Sequence, residues 1–354
     1  RGTLQYASDT HALAIAGNAV QIIDLATHAV RNLLGHGDGI GAVAVHPSRK
    51  FFAVGEKGAW PLICIYSFPE LQLVRVLRRG TESAYSSLSF SAKGDKLASV
   101  GASPDYMLTV WDWRRERIIL RTKAFSQEVY TVSFSPTTDG RLTTCGMGHI
   151  RFWRMANTFT GLKLQGDIGK FGKVELADVN CFAELPDGKI LSGTERGSLL
   201  LWDGHFIKLE VFRPGQRAPH AASIEDLRLV EDGGRRYFVS CGHDGFIRWW
   251  DFTAIDAAEL TDEDPVFMTE PLLEVFLGRR EVVPADAGRA GKGGPLSEPV
   301  EVSVPARLQS LERGADHWLV QDARGAAWRL PLEACAVPTL EEVEDRGVRV
   351  AEEV

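Results

Sequence analysis

The sequence predicts an all-β propeller of seven blades. Three observations carry that expectation: a short phrase ending in a large apolar residue that recurs seven times, a regular spacing of its copies, and a fixed order of strand and turn signals between them. The phrases centre on Ile23, Tyr66, Trp111, Trp153, Trp202, Trp250 and Trp328, at steps of 43, 45, 42, 49, 48 and 78 residues. Five steps lie at or just above the WD-repeat period of roughly 40 to 45 residues, in which four strands make one blade. The sixth contains an insertion.

The order within one unit is clearest from 129 to 154. Residues 129–135 alternate apolar with small polar residues, a turn follows at 136–140, and two further strand signals at 142–145 and 149–153 flank a Gly146-Met147-Gly148 turn. The same order recurs at 43–45 before His46-Pro47, at 86–90 before Lys93-Gly94-Asp95, and at 181–185 before Pro186-Asp187-Gly188. A single unit cannot bury its own apolar faces, so the units must stack around a ring. The first blade reads as complete from 4 to 34, and the last lacks an obvious outer strand, for which 347–350 is a candidate.

These signals assign residues 1–335 to one seven-bladed WD-repeat propeller and 336–354 to an acidic tail or linker. Two stretches depart from the repeat. Residues 253–270 form an acidic insertion that opens as a short helix, and 280–299 are rich in Gly, Pro, Ala and charge and read as a flexible loop. Strand signals resume at 307–311, 318–321 and 326–330.

Composition bounds the function. With 44% hydrophobic and 25% charged residues, the chain has the make-up of an ordinary globular protein. No run of about 18 apolar residues is present, so no membrane partner is expected. The net charge of −7 is uneven: six acids and no base lie in 256–270, six acids against two arginines lie in 341–354, and the remainder stands at +3. That balance is too weak for a nucleic-acid partner. Five cysteines contain no CxxC pair, and the four in or beside apolar strand segments read as small buried hydrophobes in a reducing compartment. A chain opening at Arg1 is expected to be excised from a longer one.

No motif of catalysis emerges. Residues 286–293 read DAGRAGKG, which lacks the first glycine and the Ser/Thr of a phosphate-binding loop. Residues 193–197 have the outer glycines of a nucleophile elbow, but Glu195 stands where the nucleophile would be. No paired metal-ligand spacing occurs among the nine histidines. His36, after Gly35, and His243, beside Asp244, read as hydrogen-bonded framework residues of the repeat. No enzyme activity, cofactor or small-molecule substrate is expected.

A propeller offers loop faces and an outer rim on a rigid body, so the leading reading is a protein-interaction scaffold. The face formed by loops before the inner and third strands is expected to hold Trp60, Tyr106, Glu128, His149, Arg196 and His243, a mixture suited to interface anchors. The bland alternative is that Trp60 and Tyr106 simply cover the ring mouth. A basic rim is expected where Arg75, Arg78 and Arg79 flank one outer strand and Arg114, Arg115, Arg117 and Arg121 flank or occupy the next. These charges either blunt edge strands against pairing or dock an acidic partner such as a tubulin surface. Competing readings are an enzyme with a pocket assembled from distant residues, and a peptide- or ubiquitin-reading scaffold in another cytoplasmic assembly such as a transport coat.

Several strings go beyond generic repeat signatures: YMLTVWDW at 106–113, FSQEVY at 125–130, GHIRFW at 148–153, TGLKLQG at 160–166, LPDGK at 185–189 and IGAVAVHPS at 40–48. In these the chain resembles the first propeller of the cilia- and flagella-associated protein 44 family, best over 36–255. The resemblance implies a component of the cilium or flagellum axoneme. It also implies a paralogous partner, cilia- and flagella-associated protein 43, in the tether and tether-head assembly that holds inner-arm dynein motor domains to the doublet microtubule.

Overall fold

Seven antiparallel sheets follow one another along the chain in the computed structural model, which describes residues 4–260, 266–283, 300–337 and 349–351. Blade 1 comprises Gln5–Tyr6, His11–Ala16, Ala19–Asp24 and Val30–Leu34; blade 2, Gly39–Val45, Phe51–Lys57, Ile63–Ser67 and Leu73–Leu77; blade 3, Tyr85–Phe90, Leu97–Gly101, Met107–Asp112 and Arg117–Lys123. Blade 4 comprises Val129–Phe134, Arg141–Gly146, His149–Thr158 and Gly161–Ile168; blade 5, Val179–Glu184, Ile190–Thr194, Leu199–Asp203 and Phe206–Phe212. Blade 6 comprises Ile224–Asp232, Arg235–Gly242, Phe246–Asp251 and Leu273–Val283, and blade 7 comprises Leu308–Arg313, His317–Asp322 and Ala327–Pro331.

Stacking explains the burial of each strand. Second and third strands lie between neighbouring blades and are apolar on both faces; in Leu199–Asp203 only the final residue is exposed. Outer strands such as Val30–Leu34 are largely exposed. The core is therefore distributed between blades. One cluster joins Ala42, Ile63 and Leu77 of blade 2 to Leu88, Leu97 and Trp111 of blade 3, and another joins Leu199 and Leu201 of blade 5 to Leu227 and Trp250 of blade 6.

A cross-strand hydrogen bond repeats in four blades. Trp111, Trp153, Trp202 and Trp250 each donate Nε1–H to a hydroxyl on the second strand, at Ser99, Thr144, Ser192 and Ser240, over 2.8 to 2.9 Å. Each hydroxyl stands two residues beyond the one paired with the tryptophan. A buried indole N–H left unpaired would cost free energy, so the hydroxyl and the ring are set together.

Blade 7 departs from the expected register. Its residue equivalent to Trp111 is Leu330, which pairs with Trp318, whereas Trp328 lies two residues earlier and pairs with Val320. The large ring at this level comes instead from the second strand, where Trp318 meets Trp249 of blade 6 edge-on at 5.9 Å. Val320 offers no hydroxyl, and the buried Trp328 Nε1 has no hydrogen-bond partner.

The ring closes between blades 7 and 1 without a shared strand among the described residues. Leu319 packs with Leu4, Tyr6, Ala12 and Ala14, and the Tyr6 hydroxyl donates to His317 Nε2 at 2.8 Å. The candidate outer strand of blade 7 lies elsewhere: Arg349–Ala351 pairs in parallel with Val275, Phe276 and Leu277 of blade 6. The first insertion opens with the expected short helix and adds a strand that was not expected. Phe252–Asp256 is a helical turn capped by Asp251, and Phe267–Met268 adds in parallel to the outer strand of blade 5. Residues 280–283 extend a strand that pairs with Val300–Pro305; the rest of the expected loop, 284–299, lies outside the described residues.

One turn ties blades 2 and 3 together. The Gly94 carbonyl accepts from His46 Nε2, Trp113 Nε1 and Arg114 Nη1 at 2.9, 2.9 and 3.0 Å. Gly94 has φ +69°, and a Cβ there would stand 2.2 Å from His46 Nε2. Gly94→Ala should therefore destabilise the domain by about 2 kcal/mol or more, from left-handed strain plus displacement of a buried ring. A urea midpoint equal to that of wild type would show that the turn has freedom to move.

Candidate protein-interaction surfaces

Trp60 and Tyr106 stand on neighbouring loops that are joined through residues 81–84. Trp60 is 65% exposed with φ 55°, and its N–H donates to Glu82 O at 3.0 Å. Tyr106 is half-buried with φ 48°, and its loop is pinned by the Asp105 carboxylate, which accepts from the Thr81 hydroxyl at 2.8 Å and from Glu82 N at 3.2 Å. Left-handed backbone at two aromatic residues is costly, and here the loop hydrogen bonds hold it. Glu128 is half-buried, and its carbonyl accepts from Met147 N at 2.9 Å. Arg196, exposed on blade 5, pairs with Glu175, whose carboxyl is held below its ordinary range by the hydrogen bond from that guanidinium.

The two histidines of this group differ. His149 is not on a surface. It is fully buried, stacked on Phe125 at 3.8 Å with Nδ1 3.1 Å from Met147 O, and burial pushes its imidazole pKa down. As first residue of the third strand of blade 4, it turns into the sheet instead of the solvent. His243 is half-buried, with Nδ1 3.1 Å from Ser223 Oγ and Nε2 3.8 Å from Glu225.

The histidine that builds the tryptophan network is His220, which follows no glycine and so lacks the pattern that marks His36. In blade 6 the Trp250 indole donates to Ser240 Oγ at 2.9 Å, and Ser240 Oγ lies 2.7 Å from His220 Nε2. His220 Nδ1 lies 2.9 Å from Asp244 Oδ1, and Arg248 Nη1 donates to Asp244 Oδ2 at 2.7 Å. With Nδ1–H donating to the carboxylate and Nε2 accepting from the serine, every member of the chain is satisfied. Burial keeps His220 neutral by lowering its pKa. Burial works against the Asp244 carboxylate too, but the His220 hydrogen bond and the Arg248 charge hold it well below the usual range. The available signal was a hydroxyl residue 9 to 12 positions ahead of each of the four tryptophans.

A channel of about 330 Å³ runs along the ring axis, lined by inner strands of all seven blades, from Gln5 to Glu312. Three of its charged groups pair with one another, with Arg228 Nε 3.1 Å from Asp226 Oδ1 and Nη2 2.9 Å from Glu312 Oε1, while Glu225 accepts from Asn180 Nδ2 at 3.2 Å and from the Ser223 hydroxyl. Burial raises the Glu312 pKa in spite of Arg228. Alternation along the inner strands places these residues on the axis, away from the loops and rim where charge is expected.

On the rim the arginines divide into two sets. Arg75 donates Nε–H to Arg114 O at 2.9 Å and lies 3.8 Å from Glu116. Arg114 stacks on Trp113 at 4.4 Å, while Arg115 and Arg117 flank Asp112 at 3.1 and 3.4 Å. Arg78, Arg79 and Arg121 are exposed, with no carboxylate within 4.0 Å among the described residues. They are the free charge of the patch.

Comparisons with known proteins agree with this architecture. The family model described as "Echinoderm microtubule-associated protein first beta-propeller" matches residues 31–269. The chain is 43% identical over 333 residues to cilia- and flagella-associated protein 44 of Mus musculus, covering 94% of this chain and 17% of the relative. It is 61% identical over 229 residues to the protein of the same name from Chlamydomonas reinhardtii, covering 62% and 13%. It thus spans less than a fifth of the length of these relatives. The crystal structure of the computationally designed Ika8 protein superposes with a TM-score of 0.59 at 16% identity, over 93% of this chain and 95% of that one, a likeness of fold alone.

Proposed function

Because the chain belongs to the Echinoderm microtubule-associated protein first β-propeller family, we propose that it is a non-enzymatic interaction scaffold of the ciliary or flagellar axoneme. The observation that carries this reading is the similarity, over 94% of the chain, to a cilia- and flagella-associated protein. In the finer form, the propeller belongs to a tether and tether-head assembly that holds inner-arm dynein motor domains to the doublet microtubule, beside cilia- and flagella-associated protein 43. Trp60, Tyr106 and Arg196 engage protein partners, and the rim arginines meet an acidic microtubule surface. Affinity purification of the full-length protein from its own cells should recover dynein and doublet components. Coat subunits in their place would favour the peptide- or ubiquitin-reading alternative.

The rim is tested separately. Reversing Arg78, Arg79 and Arg121 to glutamate breaks no ion pair among the described residues and should leave the urea midpoint unchanged. It should reduce co-sedimentation with microtubules most at low salt, where screening is weakest. A variant that pellets like wild type at low ionic strength would reduce the rim to edge protection.

A further inference from the structure

His36, Glu56 and Cys64 come from three separate backbone segments: the connection between blades 1 and 2, and the second and third strands of blade 2. One ligand-type atom of each, an imidazole nitrogen, a carboxylate oxygen and a thiol sulfur, lies within 4.8 Å of the other two. His36 Nδ1 is 3.3 Å from Glu56 Oε1, which also accepts from the His36 backbone N–H at 2.7 Å. The Glu56 side chain is only 3% exposed, Cys64 is buried, and the His36 ring is 59% exposed.

The charges do not balance. A buried carboxylate ordinarily has a cation beside it, and no Lys or Arg lies within 4.0 Å of Glu56 among the described residues. Blade 6 shows what is missing. Its third strand carries Arg248 two residues before Trp250, and that guanidinium neutralises Asp244. At the same register in blade 2, two residues before Tyr66, stands Cys64. A thiol replaces the guanidinium beside a carboxylate that is still buried.

We infer that His36, Glu56 and Cys64 form a binding site for a zinc-class divalent metal ion. Sulfur, imidazole and a single carboxylate are the donor set that zinc accepts, whereas magnesium and calcium take oxygen ligands. Tetrahedral zinc asks for ligand atoms about 3.5 Å apart; His36 Nδ1 and Glu56 Oε1 stand 3.3 Å apart, and all three donors lie within 4.8 Å of one another. Solvent on the imidazole side supplies a water as fourth ligand and the path of entry. Binding replaces the thiol proton by the metal, giving a thiolate–metal bond and one released proton.

The test uses the 354-residue chain, stripped with a chelator and titrated with Co²⁺ and then Zn²⁺. One equivalent of Co²⁺ should give a thiolate-to-cobalt charge-transfer band that Zn²⁺ abolishes, and Zn²⁺ should raise the melting temperature. Cys64→Ser should lose the band. His36→Ala, on an exposed ring, should keep the wild-type circular dichroism and bind at least tenfold more weakly. No band in a folded wild-type chain, or a band that persists in Cys64→Ser, would overturn the site and leave a simple His36–Glu56 hydrogen bond.

Discussion

Replacing Trp111 with alanine should lower the stability of the domain by about 3 to 5 kcal/mol, the scale for truncating a buried large aromatic. The ring is 1% exposed and bridges the packing of blades 2 and 3, so its loss opens a cavity between blades and leaves the buried Ser99 hydroxyl without its donor. That is a large share of a typical domain stability of about 5 to 15 kcal/mol. Urea unfolding should show a lower midpoint at an unchanged slope; a midpoint within error of wild type would contradict the packing described for this ring. The register of blade 7 gives the matching control. Trp111→Phe loses one buried hydrogen bond, whereas Trp328→Phe loses none, so the first should be the more destabilising by about 1 kcal/mol.

Removing the carboxylate of Asp244 should cost about 3 kcal/mol, because it leaves the buried His220 imidazole without its carboxylate and the buried Arg248 guanidinium with Glu274, at 2.6 Å, as its remaining one among the described residues. Asp244→Asn keeps an acceptor and should cost less than Asp244→Ala; equal losses would mean that the charge on Asp244, and not its hydrogen-bond geometry, carries the whole contribution. Acid should act on the buried histidines and on Asp244 in two windows. His46, His149 and His220 have their pKa values lowered, in each case first by burial. Below the ordinary histidine value of about 6.5, the unfolded chain binds protons that the folded chain refuses. Stability is therefore full above that value and falls as pH drops through it, by up to about 1.4 kcal/mol per pH unit for each histidine. Asp244, with its pKa lowered, contributes above the ordinary aspartate range and is lost only in stronger acid. The melting temperature should fall between pH 7 and 5, and His149→Phe should flatten that slope. A melting temperature independent of pH over this range would show that the three imidazoles are not held neutral.

The blades were legible because their signals are local. Alternation, turn residues and the recurring tryptophan phrase lie within a few positions of each other, and six of the seven third-strand residues stand at the register expected of them. Trp328 misled because its phrase is short: Trp318 fills the same layer from the adjacent strand, a choice visible only in the pairing with Leu330. The outer strand sought at 347–350 failed for a related reason. A three-residue strand carries too little pattern to name its partner, and it pairs with blade 6.

The side chains proposed to act were less legible, because their roles depend on what desolvates or neutralises them. His149 and His243 look alike on paper, as polar residues near a turn, yet one is sealed beneath Phe125 and the other reaches Ser223. Arg78 and Arg115 are both rim arginines, and only Arg115 has Asp112 beside it. His220 and Asp244 lie 24 residues apart, and His36 and Glu56 lie 20 apart. Seven-fold repetition, the strand order within each blade and the place of the tryptophans in four of them follow from the sequence alone, since period-two burial and turn chemistry act over neighbouring residues. Ring closure, the axial Arg228 cluster, the free rim charges and the His36, Glu56 and Cys64 cluster were decided by the tertiary structure, because hydrogen-bond partners and low-dielectric surroundings exist only once distant strands have stacked.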